Sequence, residues 1–247
     1  MLHYLFLAAL GLIFGSFITM LSYRMINGGG YYGHSKCIKC NHSLNALDLV
    51  PLLSYVFLAG RCRYCKAEIS PRYPLTELLT ACAFAGLGGY WQDKFMLILL
   101  AIMTVALITM IVIDFEHMII PDEIQLVLAI IGIIYAYYND VPLMIVVLKP
   151  LGLLAIALAL KYAFLFFMKK DGLGLGDVKF FAVAGLYLNI TALSAFFLLS
   201  GLIGLVIAIF WRYLKRGKLF PFGPALAFTL YLCVVFPSIE KITNFLN

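Results

Sequence analysis

The sequence predicts an all-α polytopic membrane protein of about eight transmembrane helices, interrupted once by a small cysteine-bearing insertion. Three observations predict this. Hydrophobic residues make up 64% of the 247 and charged residues only 12%, whereas a soluble domain carries about a quarter charged residues. Mean hydropathy is +1.02. The apolar residues fall into runs near the roughly 20 residues a spanning helix needs, and four of the six cysteines crowd into the one long polar stretch.

Candidate spans cover 2–23, 73–90, 95–113, 122–138, 143–167, 178–190, 191–211 and 221–238. The first begins Met1-Leu2-His3, with no basic segment and no persuasive cleavage site, so it reads as a retained helix and not as a removable signal. The break between the sixth and seventh is faint, marked only by Asn189 and Thr191. The single domain expected over 1–247 divides into an insertion at 25–72 and a helical bundle at 73–247.

Basic residues orient the bundle. Arg24, Lys36, Lys39, Arg61, Arg63, Lys66 and Arg72 lie in or beside the insertion. Lys169, Lys170 and Lys179 flank a second connector, and Arg212, Lys215, Arg216 and Lys218 a third. These are 14 of the 18 basic residues. With eight spans all three connectors share one side, which places them in the cytoplasm and both termini outside. The net charge of +6 then reflects topology and anionic lipid, and needs no nucleic-acid partner.

Within the insertion, Cys37-Ile38-Lys39-Cys40 and Cys62-Arg63-Tyr64-Cys65 form two CxxC knuckles with 21 residues between them. This is close to zinc-ribbon spacing. Four thiolates suit tetrahedral Zn²⁺, and so short a segment needs a staple in place of a core. Two redox or disulfide pairs are the alternative, which a reducing cytoplasm disfavours. The apolar run Asp48–Gly60 between the knuckles suits packing on the ribbon or on the membrane surface.

Two acids at the ends of apolar runs are costly and therefore informative. Asp114, in Ile113-Asp114-Phe115-Glu116, ends the third span, where the helix dipole disfavours a negative charge. Asp122 and Glu123, following Pro121, read instead as helix-start residues. Asp177 follows Gly172, Gly174 and Gly176 at the head of the sixth span; it reads either as a helix cap or as an acid beside which glycines let an extended substrate backbone approach. Both acids map to the cytoplasmic edge. A pair of carboxylates brought together shares one proton and so supplies an acid and a base, the apparatus of an aspartyl protease. A cation transporter would put its acids near mid-bilayer in repeated broken helices, and a pure assembly platform leaves the glycine-flanked Asp177 without a use. Glu77 and Lys179 are secondary polar candidates. Glu77 sits a few residues into the second span with Arg72 or Lys179 as conceivable partners, and Lys179 is placed either to influence Asp177 or to snorkel. Lys149 and Lys161, toward opposite ends of the fifth span, read as snorkelling cations.

These segments together resemble the type IV prepilin peptidases, GxGD-type membrane aspartyl proteases. Gly15–Arg24 (GSFITMLSYR) is similar to the family's opening helix, and Gly60–Ala81 (GRCRYCKAEISPRYPLTELLTA) to its cytoplasmic domain. IDFEHMIIPD (Ile113–Asp122) and GLGLGDVK (Gly172–Lys179) are similar to its two active-site motifs. Gly174, Gly176, Lys179 and Glu77 are read from the residues themselves as substrate-binding or supporting. The resemblance implies catalysis by Asp114 and Asp177 and zinc on Cys37, Cys40, Cys62 and Cys65. It implies prepilins or pseudopilins as substrates, cut after a glycine between a short basic leader and an apolar helix, at the cytoplasmic face of a bacterial plasma membrane. It also implies S-adenosylmethionine-dependent methylation of the new N-terminus; no methyl-donor site is read from the residues themselves. The first knuckle departs from the family's frequent CPxC pattern, which leaves the sulfurs in place and alters only the turn.

Overall fold

A computed structural model of the chain describes residues 2–28, 33–169, 172–214 and 219–237. Lys170, Lys215, Arg216 and Lys218, used above for orientation, and Asp171 lie outside the described residues. The described secondary structure is helical, apart from two isolated antiparallel bridges in the insertion. The helices are α1 Leu2–Asn27, α2 Leu53–Phe57, α3 Arg72–Tyr90, α4 Lys94–His117, α5 Asp122–Tyr138, α6 Leu143–Met168, α7 Leu175–Tyr187, α8 Ile190–Tyr213 and α9 Gly223–Val235.

All except α2 correspond to the eight apolar segments. Among the described residues, α1, α4, α6 and α8 are both long and apolar enough to cross a membrane. The chain is thus a polytopic all-α membrane protein. At 1.5 Å per residue the 13-residue α7 and α9 extend only about 20 Å, short of a hydrocarbon core about 30 Å thick.

The faint break resolves sharply. α7 ends at Tyr187, and the Asn189 side chain accepts a 2.7 Å hydrogen bond from the Ala192 N–H, capping α8. The sixth and seventh expected spans, α7 and α8, begin at Leu175 and Ile190, ahead of the 178 and 191 that the apolar runs suggest, and at α8 the cap and not hydropathy sets the boundary.

Contacts divide the chain into two compact units, Met1–Val112 and Ile113–Asn247. In the first, α1 packs along α3. Gly11 and Gly15 make this close approach compulsory: a Cβ on Gly15 would lie 2.5 Å from Cα of Glu77, and one on Gly11 2.7 Å from Cα of Ala81. Lipid gives helices no hydrophobic reason to pair, so small residues that let backbones touch do that work. In the second unit α7 is central, packing on α5, α6 and α9, while α8 packs on α9. Glycines again mark the crossings. A Cβ on Gly132 would meet Leu186, one on Gly185 would meet Leu153 and Pro150, and one on Gly204 would meet Phe222.

Candidate active site and metal centre

Asp114 projects from the last turn of α4 and is 4% exposed. Its Oδ2 accepts a 2.9 Å hydrogen bond from the backbone N–H of Gly223, the first residue of α9. The carboxylate that lies unfavourably at one helix's C-terminus is thus received at the N-terminus of another, where orphan N–H groups and the dipole favour an anion. A Cβ on Gly223 would come within 2.7 Å of that same oxygen, so glycine is what lets the amide reach it.

Asp177, half-buried, occupies the first turn of α7. Its carboxylate reaches back to accept the N–H of Gly174, the N-cap, in the manner of an acid at the third helical position. The two acids therefore sit at the N-terminal ends of two helices, α7 and α9. They lie close enough to repel one another. Ile120, between α4 and α5, is wedged against both helix starts: a Cβ on Gly176 would be 3.0 Å from its Cβ, and one on Gly223 3.1 Å from its Cδ1. The space beside Gly176 is accordingly filled by the chain itself, and that beside Gly174 by the Asp177 carboxylate, 3.0 Å from where a Cβ would stand.

Among the described residues, Lys161 is the lysine held beside the start of α7, while Lys179 turns to Asp122. Lys161 is 7% exposed and donates to the carbonyl of Leu173, just ahead of α7, so it is buried and not snorkelling. Lys149, on the same helix, donates to the carbonyl of Leu188 at the other end of α7. Lys179 pairs with Asp122 at 2.7 and 2.9 Å on the exposed side. Glu77, 7% exposed on α3, accepts the N–H of Leu52 at 2.8 Å. Leu52 has a φ of 58°, rare for a leucine, so the carboxylate fixes a strained turn at the start of α2. Gly223 and Ile120 escaped the sequence reading, and Lys161, read there as snorkelling, is instead buried. The one local signal was Gly223-Pro224, a helix-start pair.

The four knuckle sulfurs lie within 4.8 Å of one another, with Cys37 and Cys65 Sγ 3.9 Å apart. An S₄ tetrahedron with 2.3 Å metal–sulfur bonds has edges of about 3.8 Å, so the set fits one tetrahedral ion. The two knuckles are built alike. Cys37 N–H donates to His42 O and Cys62 N–H to Ala67 O, 2.9 and 2.8 Å; Asn41 N–H returns to Cys37 O and Lys66 N–H to Cys62 O, 2.8 and 3.0 Å. Asn41 and Lys66 both take left-handed conformations, φ 57° and 59°. Backbone N–H groups of Cys40 and Lys39 hold the Cys37 thiol down to about 7 against the upward push of burial. Against the Ala67 N–H, burial and the neighbouring sulfurs push Cys65 up to about 11, as expected when four thiols crowd together and share protons. The second knuckle clasps the connecting segment. Tyr64 lies over the His42 ring at 3.7 Å, Asn45 Nδ2 donates to Tyr64 Oη at 2.8 Å, and Arg63 Nε donates to Asp48 at 2.6 Å.

The chain matches two family models. Residues 9–91, which hold the cysteines, match the Bacterial Peptidase A24 N-terminal domain, and residues 101–209, which hold both acids, match the Type IV leader peptidase family. It is 34% identical to the prepilin leader peptidase/N-methyltransferase of Neisseria gonorrhoeae, over 97% of this chain and 92% of that one. Identity to the enzyme of the same name from Aeromonas salmonicida is 35%, over 81% of this chain and 70% of that one. Identity to a type 4 prepilin-like proteins leader peptide-processing enzyme of Escherichia coli is 35%, over 82% and 77%. No solved structure matches. Matched through both its cysteine-bearing and its acid-bearing parts, and along nearly the whole length of a relative, the chain belongs to the type IV leader peptidase family.

Proposed function

We propose that the protein is a membrane aspartyl endopeptidase that removes the leader peptide from prepilins or pseudopilins, with Asp114 and Asp177 as its catalytic pair. The observation that carries this reading is the placement of two carboxylates at the N-terminal ends of α9 and α7, one buried and one half-buried, where the two helix starts meet on Ile120. Like charges this close do not both ionise cheaply, and the pair holds one proton. The ionised member takes a proton from water as the water oxygen attacks the scissile carbonyl carbon. The protonated member gives its proton to the carbonyl oxygen. Collapse of the tetrahedral intermediate breaks the C–N bond as the acid that took the water proton passes it to the leaving nitrogen, while the other acid takes back a proton from a hydroxyl of the intermediate, so the pair again shares one proton. The Gly223 amide steadies Asp114 throughout, and Lys161 offsets the charge on Asp177.

The eight apolar helices are read as spans, with the insertion and the acids on the cytoplasmic face of a bacterial plasma membrane and both termini outside. The substrate is a short basic leader, a glycine and an apolar helix that enters laterally from lipid. Cys37, Cys40, Cys62 and Cys65 hold Zn²⁺, which staples residues 25–72 and takes no part in hydrolysis. Glu77 supports by tying the insertion to α3 through Leu52. Methylation of the new N-terminus by S-adenosylmethionine is supported by the names of the relatives.

Incubation of the purified chain in detergent with a prepilin-like peptide, followed by mass spectrometry, tests both activities. Loss of the leader reports the peptidase, and a further methyl increment reports the transferase. Asp114→Asn and Asp177→Asn should each abolish cleavage while metal content and melting temperature hold. Normal processing by either variant overturns the dyad.

A further inference from the structure

The apolar run between the two knuckles packs inward on one side and is bare on another. Within α2, Tyr55 turns inward: its ring lies against Gly60, where a Cβ would be 3.0 Å from Oη, and its hydroxyl donates to the carbonyl of Ile69. Leu53, Val56 and Phe57, spaced i, i+3 and i+4, share a different face. They are 56, 71 and 83% exposed in the full chain. Water around three large apolar side chains on one short turn is unfavourable, and a bare patch of this kind marks a surface that something covers.

Where the turn is tethered selects the cover. The Leu52 N–H, at the head of α2, is held by the Glu77 carboxylate at 2.8 Å. Glu77 stands about 7 Å along α3 from its first residue, Arg72, and a helical side chain leans back toward the N-terminus. The head of α2 is therefore pinned beside the first two turns of α3. Those turns present Leu75, Leu78 and Leu79 outward, each at least half exposed; on a spanning helix such a face meets acyl chains. The start of the insertion is tied to α1, where Arg24 Nη2 donates to the carbonyl of Gly33 at 2.9 Å. Charge agrees with depth. Residues 33–69 carry the exposed Lys36, Lys39, Arg61, Arg63 and Lys66 against two acids, Asp48 and Glu68, a balance that an anionic headgroup layer attracts.

We propose that α2 is a wedge seated in the lipid bilayer. Leu53, Val56 and Phe57 enter the leaflet on the insertion's own side of the membrane, among the acyl chains just under the headgroups, and lysines and arginines of the insertion meet the lipid phosphates. The wedge holds the cysteine-bearing insertion against the membrane, with Tyr55 joining it to the second knuckle and Glu77 setting its depth. It rests on α3 crossing the bilayer and not on the chemistry of Asp114 and Asp177.

The test uses the full chain in lipid nanodiscs, with Phe57→Trp and Leu78→Trp each read as the emission added to that of Trp91 and Trp211 in the wild type. Both substituted positions are exposed, so a larger ring has room; Val56→Trp repeats the reading should Phe57→Trp not fold. Phe57→Trp should emit at shorter wavelength than tryptophan in water, lose most of its added emission to lipids brominated along the acyl chains, and resist acrylamide. Leu78→Trp, on α3, should be quenched by the same lipids. Quenching of Phe57→Trp should be stronger in discs containing phosphatidylglycerol than in phosphatidylcholine alone, and high salt should erase that difference. Phe57→Trp quenched by acrylamide and not by brominated lipid, beside a lipid-quenched Leu78→Trp, overturns the wedge and leaves the face to a soluble partner. If brominated lipid quenches neither, the spanning reading of α3 falls and the wedge falls with it. Equal quenching in neutral and anionic discs overturns the contact between the basic residues and lipid phosphates.

Discussion

Gly223→Ala isolates the contact that seats Asp114. Gly223 is absent from the positive-φ glycines, so alanine suits its backbone, and at the head of a helix alanine is intrinsically the better residue by up to about 1 kcal/mol. Propensity alone therefore forecasts a neutral or mildly stabilised protein. Geometry forecasts the opposite for activity. The new Cβ would fall 2.7 Å from Oδ2 and 3.1 Å from Cγ of Asp114, so either the carboxylate or the start of α9 must move, and the 2.9 Å amide bond is lost. A hydrogen bond to a charged group contributes about 1.5–3 kcal/mol, which at 1.36 kcal/mol per decade is about a ten- to hundredfold fall in cleavage rate. The assay is single-turnover leader removal by purified protein, with melting temperature recorded alongside. Gly201→Ala is the control, since its Cβ would meet nothing within 4 Å, and it should cleave at the wild-type rate. A folded Gly223→Ala protein with wild-type rates would refute the claim that this amide positions the acid.

Two other perturbations address the insertion. The purified protein should carry one zinc per chain by elemental analysis, and a strong chelator should strip it through the exposed Cys40 and Cys65, lowering the melting temperature; a metal-free protein of unchanged stability would remove the ion from the account. Asp48 supplies a pH dependence: burial works upward on its carboxyl, but the hydrogen bond from Arg63, the Asn45 N–H and the Arg63 charge together hold it below its ordinary value. Its folded value is depressed, so its contribution is complete above the unfolded value of about 3.9 and drains away as pH falls through the lower folded one. Asp48→Asn should weaken the insertion at neutral pH and lessen its acid sensitivity below pH about 4, read by proteolysis of the insertion in nanodiscs; identical profiles for the two proteins would dismiss the pair.

The eight helices were legible because hydropathy reports how long a segment stays apolar, and the two acids because each breaks an apolar run at high cost. Neither signal says what stands beside what. Asp114 and the amide it accepts are 109 residues apart, and the amide belongs to an apolar helix start with no charge to advertise it. Gly15, Gly132, Gly185 and Gly204 decide which helices touch, but they are four of 20 glycines, and sequence does not separate a glycine at a crossing from one facing lipid such as Gly201. Lys161 shows the same limit in reverse. A lysine near a helix end reads as snorkelling because solvent is the cheapest partner for an ammonium, and only the position of Leu173 makes a buried carbonyl available instead.

The two lysines of α6 also explain how so short a helix carries an active-site acid. α7, about 20 Å long, is too short to be set in height by a bilayer some 30 Å thick, since apolar mismatch of that size is satisfied over a range of positions. Its height has to come from protein contacts. α6 supplies them at both ends, through Lys161 to Leu173 just before α7 and Lys149 to Leu188 just after it. Leu188 is the C-cap of α7, where a cation complements the dipole, while a cation ahead of the N-terminus is opposed by that dipole. Asp177, in the first turn of α7, presents a negative charge that helps to offset it. The same electrostatic requirement that keeps Lys161 buried therefore keeps an anion at the head of α7, where the proposed chemistry needs one.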